Sequence, residues 1–349
     1  MTPTLTHLER LVAFNTTNPP RAIDEAGLFA YVRQALPGFA FRSWNHGDGC
    51  ISLLATRGAP RLLFNFHVDT VPVAEGWTRD PFVLGVEGDR AIGLGACDIK
   101  GASACMLAAA ALTSGPVALL FTSDEEAGSS QCIKRWLKDQ ATAFDQVLVA
   151  EPTRTLEVVA HRGIATCTGT FTGTPGHASA DRALDDSAVH EAVRWAGRAL
   201  AAAHEAQTET FGALHGIRFN LGRIEGGVKP NMIAGEATLR FGVRPLPNQD
   251  PLGVLERLWA LAPNADRVRW APGFLAPPLR RSPTPLPVDL RTDSIEVDFW
   301  TEAALFSEAG YPTVVYGPGD IAQAHTVGEW VALDQLNTVT ETYARLIGD

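Results

Sequence analysis

Residues 117–128 of the chain read VALLFTSDEEAG, an apolar run followed closely by three acidic residues. A short run of this kind, bounded by turn-forming residues, is typical of a buried β-strand. Glu125 and Glu126 stand side by side just beyond it, and adjacent like charges near a buried strand are costly unless something compensates them. The pair is therefore either a solvated turn or part of a site in which the two carboxylates have separate tasks.

Apolar runs and helical patterns alternate on both sides of this stretch. An Ala-rich segment at 101–114 and a second segment at 131–139 predict helices, and 333–347 predicts an amphipathic final helix. Further strands are predicted at 50–55, 61–66, 146–150 and 313–317. Strands that alternate with helices favour an α/β domain with a mostly parallel sheet flanked by helices.

The middle of the chain has a different pattern. A long helix is predicted near 183–204, among Gly-rich segments that indicate antiparallel strands. Because the earlier alternation resumes afterwards, we expect residues 162–275 to form an inserted α+β domain. Residues 1–161 and 276–349 would then form one discontinuous domain. The proline-rich stretch 275–293 predicts an irregular connection.

Composition and charge exclude several classes of protein. The 349 residues carry a formal net charge of −10, which argues against binding to nucleic acid or to an anionic membrane. No apolar stretch is long enough to span a bilayer, and the N-terminus lacks the pattern of a secretory signal. The five scattered cysteines predict reduced thiols, so we expect a cytoplasmic protein.

Acidic residues and histidines follow the predicted strands or precede the Ala-rich helix. They are His67, Asp69, Asp98, Asp124, Glu125, Glu126, Glu151 and His325. In open α/β sheets the ligand crevice lies beyond the carboxyl ends of the strands, so these side chains are expected to meet there. Histidine with carboxylates and without cysteine suits a divalent ion such as Zn²⁺, Co²⁺ or Mn²⁺. Asp124 alone has an equally good explanation as a helix cap.

Local spacing suggests how some of these residues divide their tasks. His67 and Asp69 are two residues apart, so in a strand both side chains point to one face and Asp69 can orient the imidazole. Glu125 and Glu126 cannot share a face in an extended backbone. One of them could bind a metal ion while the other faces a substrate, and a bound cation would remove the like-charge penalty.

Eight segments, in order along nearly the whole chain, resemble the zinc aminoacylase, acetylornithine deacetylase and succinyl-diaminopimelate desuccinylase family of metallohydrolases. They are LERLVAFNTTNPP (8–20), HVDTVP (67–72), GLGACDIKG (93–101), TSDEEAG (122–128), AEPT (150–153), GTPGHAS (173–179), GGVKPNMI (226–233) and GPGDIAQAHTVGEWV (317–331). With DFWTEAALF (298–306), the last segment is most similar to the acetylornithine and acetylcitrulline deacetylase branch. Relatives usually carry a helix where this chain has 275–293.

The resemblance implies a site with two metal ions, Zn²⁺ or Co²⁺, in a catalytic domain formed by 1–161 and 276–349. Asp98 would bridge the ions, His67 and Glu151 would hold one of them, and Glu126 and His325 would hold the other. Glu125 falls at the position of the general base and Asp69 at that of the residue supporting the first histidine. His177 matches a histidine that reaches the partner's site in dimeric members, and Asn231 and Arg244 match substrate-binding residues.

The implied reaction is hydrolysis of an N-acetyl amino acid, N-acetyl-L-citrulline or N-acetyl-L-ornithine, in arginine biosynthesis, with Glu125 activating a water molecule between the metals. The resemblance also implies that the inserted domain, 162–275, is a lid domain through which a homodimer forms. Alternatives are a sibling desuccinylase, dipeptidase or carboxypeptidase, and a non-catalytic metal-bound module that binds peptides or amino acids. A nucleotide-binding protein is disfavoured, because the glycine-rich segments match neither of the phosphate-binding motifs G-x-x-x-x-G-K-(S/T) and G-x-G-x-x-G.

Overall fold

The computed structural model describes residues 2–20, 23–128, 130–139, 144–283, 286 and 288–348. The chain forms two compact units. The first unit contains Met1–Val159, Arg281–Ile295 and Thr301–Asp349, and the second contains Ala160–Arg280 and Glu296–Trp300. The predicted insertion, 162–275, lies within the second unit. Part of the connection 275–293 (Thr284, Pro285 and Pro287) lies outside the described residues.

Helices and mostly short strands make up the regular structure of the described residues. In chain order, the helices are α1 (Pro3–Val12), α2 (Leu28–Ala35), α3 (Lys100–Leu112), α4 (Gln131–Asp139), α5 (Ala183–Asp186), α6 (Ala188–Glu205), α7 (Pro251–Trp259), α8 (Ala303–Glu308) and α9 (Leu333–Ile347). The strands are β1 (Ala40–Asn45), β2 (Ile51–Arg57), β3 (Leu62–His67), β4 (Gly85–Glu87), β5 (Arg90–Ile92), β6 (Val117–Thr122), β7 (Gln146–Val149), β8 (Glu157–His161), β9 (Ile164–Thr172), β10 (Gly176–His177), β11 (Thr210–Phe211), β12 (Leu214–His215), β13 (Arg218–Gly226), β14 (Met232–Ile233), β15 (Glu236–Arg244), β16 (Val268–Ala276), β17 (Ser294–Val297), β18 (Thr313–Val315) and β19 (Trp330–Ala332). None of the described helices is both long and apolar enough to cross a membrane.

The predicted α/β fold is confirmed, in the form of a mixed sheet. Within the described residues the large sheet has the order β1-β2-β6-β3-β7-β18-β8-β17. Its four central strands, β6, β3, β7 and β18, run parallel to one another. The neighbours on either side, β2 and β8, pair antiparallel with this centre. The middle of the sheet is therefore parallel, as is typical where strands are buried on both faces.

Helices α1, α3 and α9 pack against one another in the first unit. On the sheet beneath them, Phe64 and Phe66 lie on one face of β3, because residues two apart in a strand share a face. Both rings pack edge-on against Tyr343 of α9. All three side chains are fully buried, so this contact anchors α9 on the centre of the sheet.

The parallel strands place three chain segments at one edge of the sheet. His67 is the last residue of β3, the TSDEEAG segment begins in β6 at Thr122, and Glu151 follows β7 by two residues. Because these strands are parallel, their carboxyl ends share that edge. The sheet alone therefore brings a histidine and several carboxylates together.

The second unit has its own sheet and core. Its four-stranded antiparallel sheet has the order β13-β15-β9-β16, and α6 and α7 pack on it. Trp195 of α6 is fully buried against the rings of Phe241 and Trp270, at centroid distances of 5.0 and 4.9 Å. The long helix predicted near 183–204 is divided into α5 and α6, because Ser187 has an extended backbone (φ −77°, ψ 121°).

Candidate metal centre

Two groups of metal-ligating side chains lie at the carboxyl edge of the parallel strands. In each group the ligand atoms lie within 4.8 Å of one another. The first ligand set is His67, Asp98 and Glu151, and the second ligand set is Asp98, Glu126 and His325. Asp98 belongs to both sets, so the five residues form one continuous cluster.

The distances around Asp98 reflect this shared position. Its Oδ1 atom lies 3.0 Å from Nε2 of His67, and its Oδ2 atom lies 3.4 Å from Nε2 of His325. Each set is completed by a glutamate: Oε1 of Glu151 lies 3.9 Å from Nε2 of His67, and Oε1 of Glu126 lies 2.9 Å from Nε2 of His325. The two carboxylate oxygens of Asp98 therefore face two different histidines, as a bridging ligand requires.

Asp69 contacts both His67 and the DEE turn. Nδ1 of His67 lies 3.1 Å from the carbonyl oxygen of Asp69 and 3.6 Å from its carboxylate. The carboxylate is fully buried and accepts the backbone N–H groups of Glu125 (3.3 Å) and Glu126 (3.0 Å). Asn18, which the sequence did not single out, donates its side-chain N–H to the same carboxylate at 2.9 Å. Asp69 thus orients the turn as well as the imidazole.

The two glutamates of the turn are in different positions relative to the ligands. Glu126 belongs to the second ligand set, whereas Glu125 belongs to neither set. A backbone hydrogen bond from Gly128 to the carbonyl of Glu125 (3.0 Å) closes the turn. Asp124 accepts the N–H groups of Gln131 and Cys132 at the start of α4, which is the capping role that its sequence position allowed.

The electrostatics of the cluster favour a bound cation. Burial, together with the nearby charges of Glu126 and Asp98, raises the pKa of Glu125 to about 8. Burial and the charge of Asp98 also raise the pKa of Glu151 well above its ordinary value. Without a cation, burial and mutual repulsion therefore favour the protonated form of these carboxyl groups. A bound divalent cation would favour the ionised form instead.

The histidines of the cluster fit the same conclusion. Hydrogen bonds with Asp98 and Glu126 raise the pKa of His325 to about 10, so a proton on this histidine supplies positive charge to the cluster. The pKa of Asp98 is lowered well below its ordinary value, because its hydrogen bonds to His325 and His67 outweigh the effect of burial. Imidazole nitrogens and carboxylate oxygens without a thiolate suit Zn²⁺, Co²⁺ or Mn²⁺. The residues present therefore fit two divalent ions.

Two further buried carboxylates lie near the cluster and carry no role from the sequence. Glu302, in the DFWTEAALF segment, is 1% exposed, and burial and the charges of Asp124 and Glu125 raise its pKa well above the ordinary value. Glu329, in the last family segment, accepts hydrogen bonds from backbone N–H groups of the loop that carries Asp98. The sequence indicates a function for these two residues only in that both lie in segments that resemble the family.

The three candidate residues of the insertion lie in the second unit and are not all together. His177 pairs with Met232 in a short antiparallel bridge, and the N–H of Ala178 donates to the carbonyl of Asn231 at 3.1 Å, so His177 and Asn231 are neighbours. Arg244 is the last residue of β15. At about 3.3 Å per residue, it lies roughly 26 Å along that strand from its first residue, Glu236. Glu236 is near His177 and Asn231, because the residue before it, Gly235, accepts a hydrogen bond from the N–H of Gly173.

Several known proteins are similar to this chain in sequence. Residues 159–268, most of them in the second unit, match the family model described as the M20 peptidase dimerisation domain. The chain is 48% identical to the N-acetyl-L-citrulline deacetylase of Xanthomonas campestris pv. campestris over 99% of this chain and 97% of that relative. It is 32% identical to the acetylornithine deacetylase of Photorhabdus laumondii, over 86% of this chain and 83% of that relative.

A solved structure shares the fold over nearly the full length. It is a dinuclear metal binding peptidase of the M20 family from Bacillus subtilis, with a TM-score of 0.71 and 14% identity, and the alignment covers 99% of this chain and 96% of that one. The resemblance inferred from the eight segments is therefore confirmed. The chain belongs to the M20 metallohydrolase family, in the group that includes the N-acetyl-L-citrulline and acetylornithine deacetylases.

Proposed function

We propose that the protein is a metal-dependent amidohydrolase that removes the acetyl group from N-acetyl-L-citrulline, with N-acetyl-L-ornithine as the second candidate substrate. The observation that carries this proposal is the pair of ligand sets that share Asp98, with Glu125 next to them and outside both. The greater similarity to the citrulline enzyme favours the neutral side chain over the cationic one.

The same proposal gives the reaction a place in the cell. Release of citrulline or ornithine would make it a step in arginine biosynthesis. All five cysteines are buried and widely scattered along the chain, which suits a reducing compartment, and we therefore place the enzyme in the cytoplasm.

The proposed cofactors are two divalent ions, Zn²⁺ or Co²⁺. His67, Asp98 and Glu151 would hold one ion, and Asp98, Glu126 and His325 would hold the other. When bound, the ions would polarise the acyl carbonyl and lower the pKa of the attacking water. Asp69 would keep both ligand-bearing segments in place through its contacts with His67 and with the backbone of the turn.

Glu125 is the proposed general base and general acid. Its carboxylate is not needed as a ligand, so it remains available to accept a proton from the water that attacks the acyl carbon. As the C–N bond breaks, the same proton passes to the leaving nitrogen, giving acetate and the free amino acid. A group with this double task works best when its pKa is near the working pH.

The substrate contacts are proposed for the second unit. Arg244 is exposed, and no carboxylate of the described residues forms an ion pair with it, so its guanidinium could bind the α-carboxylate of a substrate. His177 would donate a hydrogen bond to the oxyanion that develops on the acyl oxygen, a contact often worth roughly 10²–10³ in rate. Asn231 would assist it as a neighbour.

The wide separation of these residues along β15 supports a homodimer. One N-acetyl amino acid is far shorter than the roughly 26 Å between the start and the end of this strand. We therefore propose that Arg244 serves its own chain's substrate, whereas His177 and Asn231 serve the partner's. The proposed dimer forms through the second unit, which contains most of the matched dimerisation domain.

The function is tested with purified protein, Zn²⁺ or Co²⁺, and a panel of N-acetyl-L-citrulline, N-acetyl-L-ornithine and N-succinyl-diaminopimelate. Release of the free amine is measured for each substrate, and hydrolysis of the N-acetyl compounds is expected. Turnover of the succinyl compound alone would replace this proposal with the desuccinylase. A metal-bound protein without turnover of any acyl amino acid or dipeptide would favour the binding module.

The role of Glu125 is tested by Glu125→Gln, which keeps the size of the side chain but removes the base. We expect kcat to fall by roughly 10²–10⁴ while both metal ions remain bound. Glu308→Gln is the matched control, because Glu308 is an exposed glutamate on α8 of the same unit. Near-normal turnover by Glu125→Gln would refute the assignment.

A further inference from the structure

Glu329 is a buried carboxylate that follows His325 by four residues and belongs to neither ligand set. The residue is 1% exposed. It stands next to β19, which pairs antiparallel with β5. Just beyond that ladder, the N–H of Gly93 donates to the carbonyl of Glu329 at 3.0 Å, so the backbones of the two segments stay joined for one more residue.

Beyond Gly93 the side chain of Glu329 continues this connection. Its Oε2 atom accepts the N–H of Gly95 at 3.0 Å, and its Oε1 atom accepts those of Cys97 and Asp98, both at 2.9 Å. Backbone N–H groups that converge in this way form a concave anion-binding site, and their hydrogen bonds to a carboxylate are charge-assisted. A single side chain therefore binds three of the backbone N–H groups in the loop from 93 to 98.

Glu329 is not part of an ordinary structural ion pair. Among the described residues, no lysine or arginine forms a direct ion pair with its carboxylate, although the buried amine of Lys100 at the start of α3 interacts with it electrostatically. The groups that the carboxylate contacts directly are the three N–H groups of the loop. The last of these belongs to Asp98, the residue that both ligand sets share.

We propose that Glu329 is a positioning residue of the metal centre, which holds the Asp98 loop against the His325 segment so that both ligand sets are formed before an ion binds. The inference rests on the proposed two-metal site. Without the carboxylate, the loop would sample other conformations, and each ion would have to order Asp98 at the expense of its binding free energy. Residues that orient ligands typically change metal affinity 10–100-fold when they are replaced, as a rough guide.

The test is a calorimetric titration of the metal-free protein with Zn²⁺, combined with the visible absorption spectrum of the Co²⁺-loaded protein. Glu329→Gln replaces one acceptor oxygen with an NH₂ group that faces backbone donors, so at least one of the three hydrogen bonds is lost. We expect its Zn²⁺ affinity to fall roughly 10–100-fold and the Co²⁺ bands to change in position or intensity, because the ligand geometry is altered.

The matched control is Glu191→Gln in the second unit. Glu191 is also buried, at 2% exposed, and forms an ion pair with Arg194 at 2.9 Å. A general loss of stability would affect both variants, whereas only Glu329→Gln should change metal affinity and the Co²⁺ spectrum.

A folded Glu329→Gln with wild-type Zn²⁺ affinity and an unchanged Co²⁺ spectrum would overturn the inference. If that variant does not fold, Glu329→Asp is judged by the same two measurements, since it keeps the charge but shortens the reach by one methylene group. Wild-type protein that binds no metal would instead contradict the proposed function, so the two failures are distinguishable.

Discussion

Asp69 shows how one buried carboxylate organises a site in which it is not itself a metal ligand. Its two oxygens accept the backbone N–H groups of Glu125 and Glu126, and its carbonyl oxygen meets the imidazole of His67. These contacts require acceptor atoms that stay in place, and the side chain is fully buried. The positions of the adjacent glutamates therefore depend on Asp69 as well as on the strand before them.

Asp98 provides a prediction at the same scale, because it belongs to both ligand sets. We expect Asp98→Ala to lose both ions, whereas Glu126→Ala should lose only the ion of the second ligand set. The metal content per chain is measured by mass spectrometry after dialysis. An Asp98→Ala protein that retains a full metal complement would contradict the shared role.

The residues that the sequence could predict are those whose chemistry is carried by the side chain itself. His67, Glu126 and Glu151 follow apolar strands, and the parallel order of those strands brings them together, so pattern and residue type were sufficient to predict that they meet at one edge. The choice of Glu126 rather than Glu125 as a ligand came from the family resemblance and stays a prediction. Asn18 and Glu329 could not be assigned, because their partners are a buried side chain and backbone N–H groups. Backbone groups are present at every position and leave no signature in the sequence.

At the scale of elements, α3 connects the site with the core of the first unit. It starts two residues after Asp98, and its first eleven residues are buried, mostly as alanine and other small side chains. Small side chains allow α1 and α9 to approach closely. Gly101 is a tight position, since a Cβ atom there would lie 2.4 Å from the carbonyl oxygen of Ala96.

We expect Gly101→Ala to lower the free energy of unfolding by roughly 1–3 kcal/mol, because the backbone must shift to admit a methyl group. Gly197→Ala in α6 is the control, since nothing lies within 4 Å of a Cβ atom at that position. There, removal of a helical glycine should stabilise the protein by about 0.5–1 kcal/mol. Urea denaturation of both variants measures the difference, and equal responses would contradict it.

The types of the main elements could be predicted, but the pairing at the sides of the sheet could not. Apolar runs identify β3, β6, β7 and β18 as buried, and these four strands form the parallel centre. The runs do not indicate that β2 and β8 pair antiparallel, because a strand buried on both faces reads the same in either direction. The division between α5 and α6 could not be predicted for a similar reason, because serine is compatible with a helix or with the extended backbone that Ser187 has here.

At the scale of the molecule, metal-free protein should lose stability as the pH rises. The pKa of Glu125 is about 8 in the folded protein, above the ordinary value of 4.5. A group of this kind contributes fully below its unfolded pKa, and the contribution is lost as the pH rises through the folded one. The midpoint temperature of chelated protein should therefore be lower at about pH 8 than at about pH 5.

Added Zn²⁺ should raise the midpoint and reduce this pH dependence, because a bound cation stabilises the ionised carboxylates and metal binding stabilises only the folded state. Thermal scans with and without chelator make the comparison. If the midpoint temperature of the metal-free protein is instead higher at about pH 8 than at about pH 5, the carboxyl cluster does not control the pH dependence of stability.

The proposed dimer makes a prediction about mixtures. Glu125→Gln and His177→Ala should each be nearly inactive alone. If His177 acts in the partner's site, a mixed dimer contains one site with an intact Glu125 and an intact partner His177. Mixing the variants under conditions that allow subunit exchange should therefore restore deacetylation. Continued inactivity of a mixture that forms heterodimers would mean that His177 acts within its own chain.

The position of β18 has a consequence for how the chain is made. It is the last strand of the eight-stranded sheet to be synthesised, yet it lies between β7 and β8. Most of the second unit emerges from the ribosome before it, and domains generally fold as units during synthesis. The first unit must therefore wait with two strand edges unpaired while the second unit can already fold. A chain that stops before residue 313 would keep those edges open, and they would offer a template for aggregation.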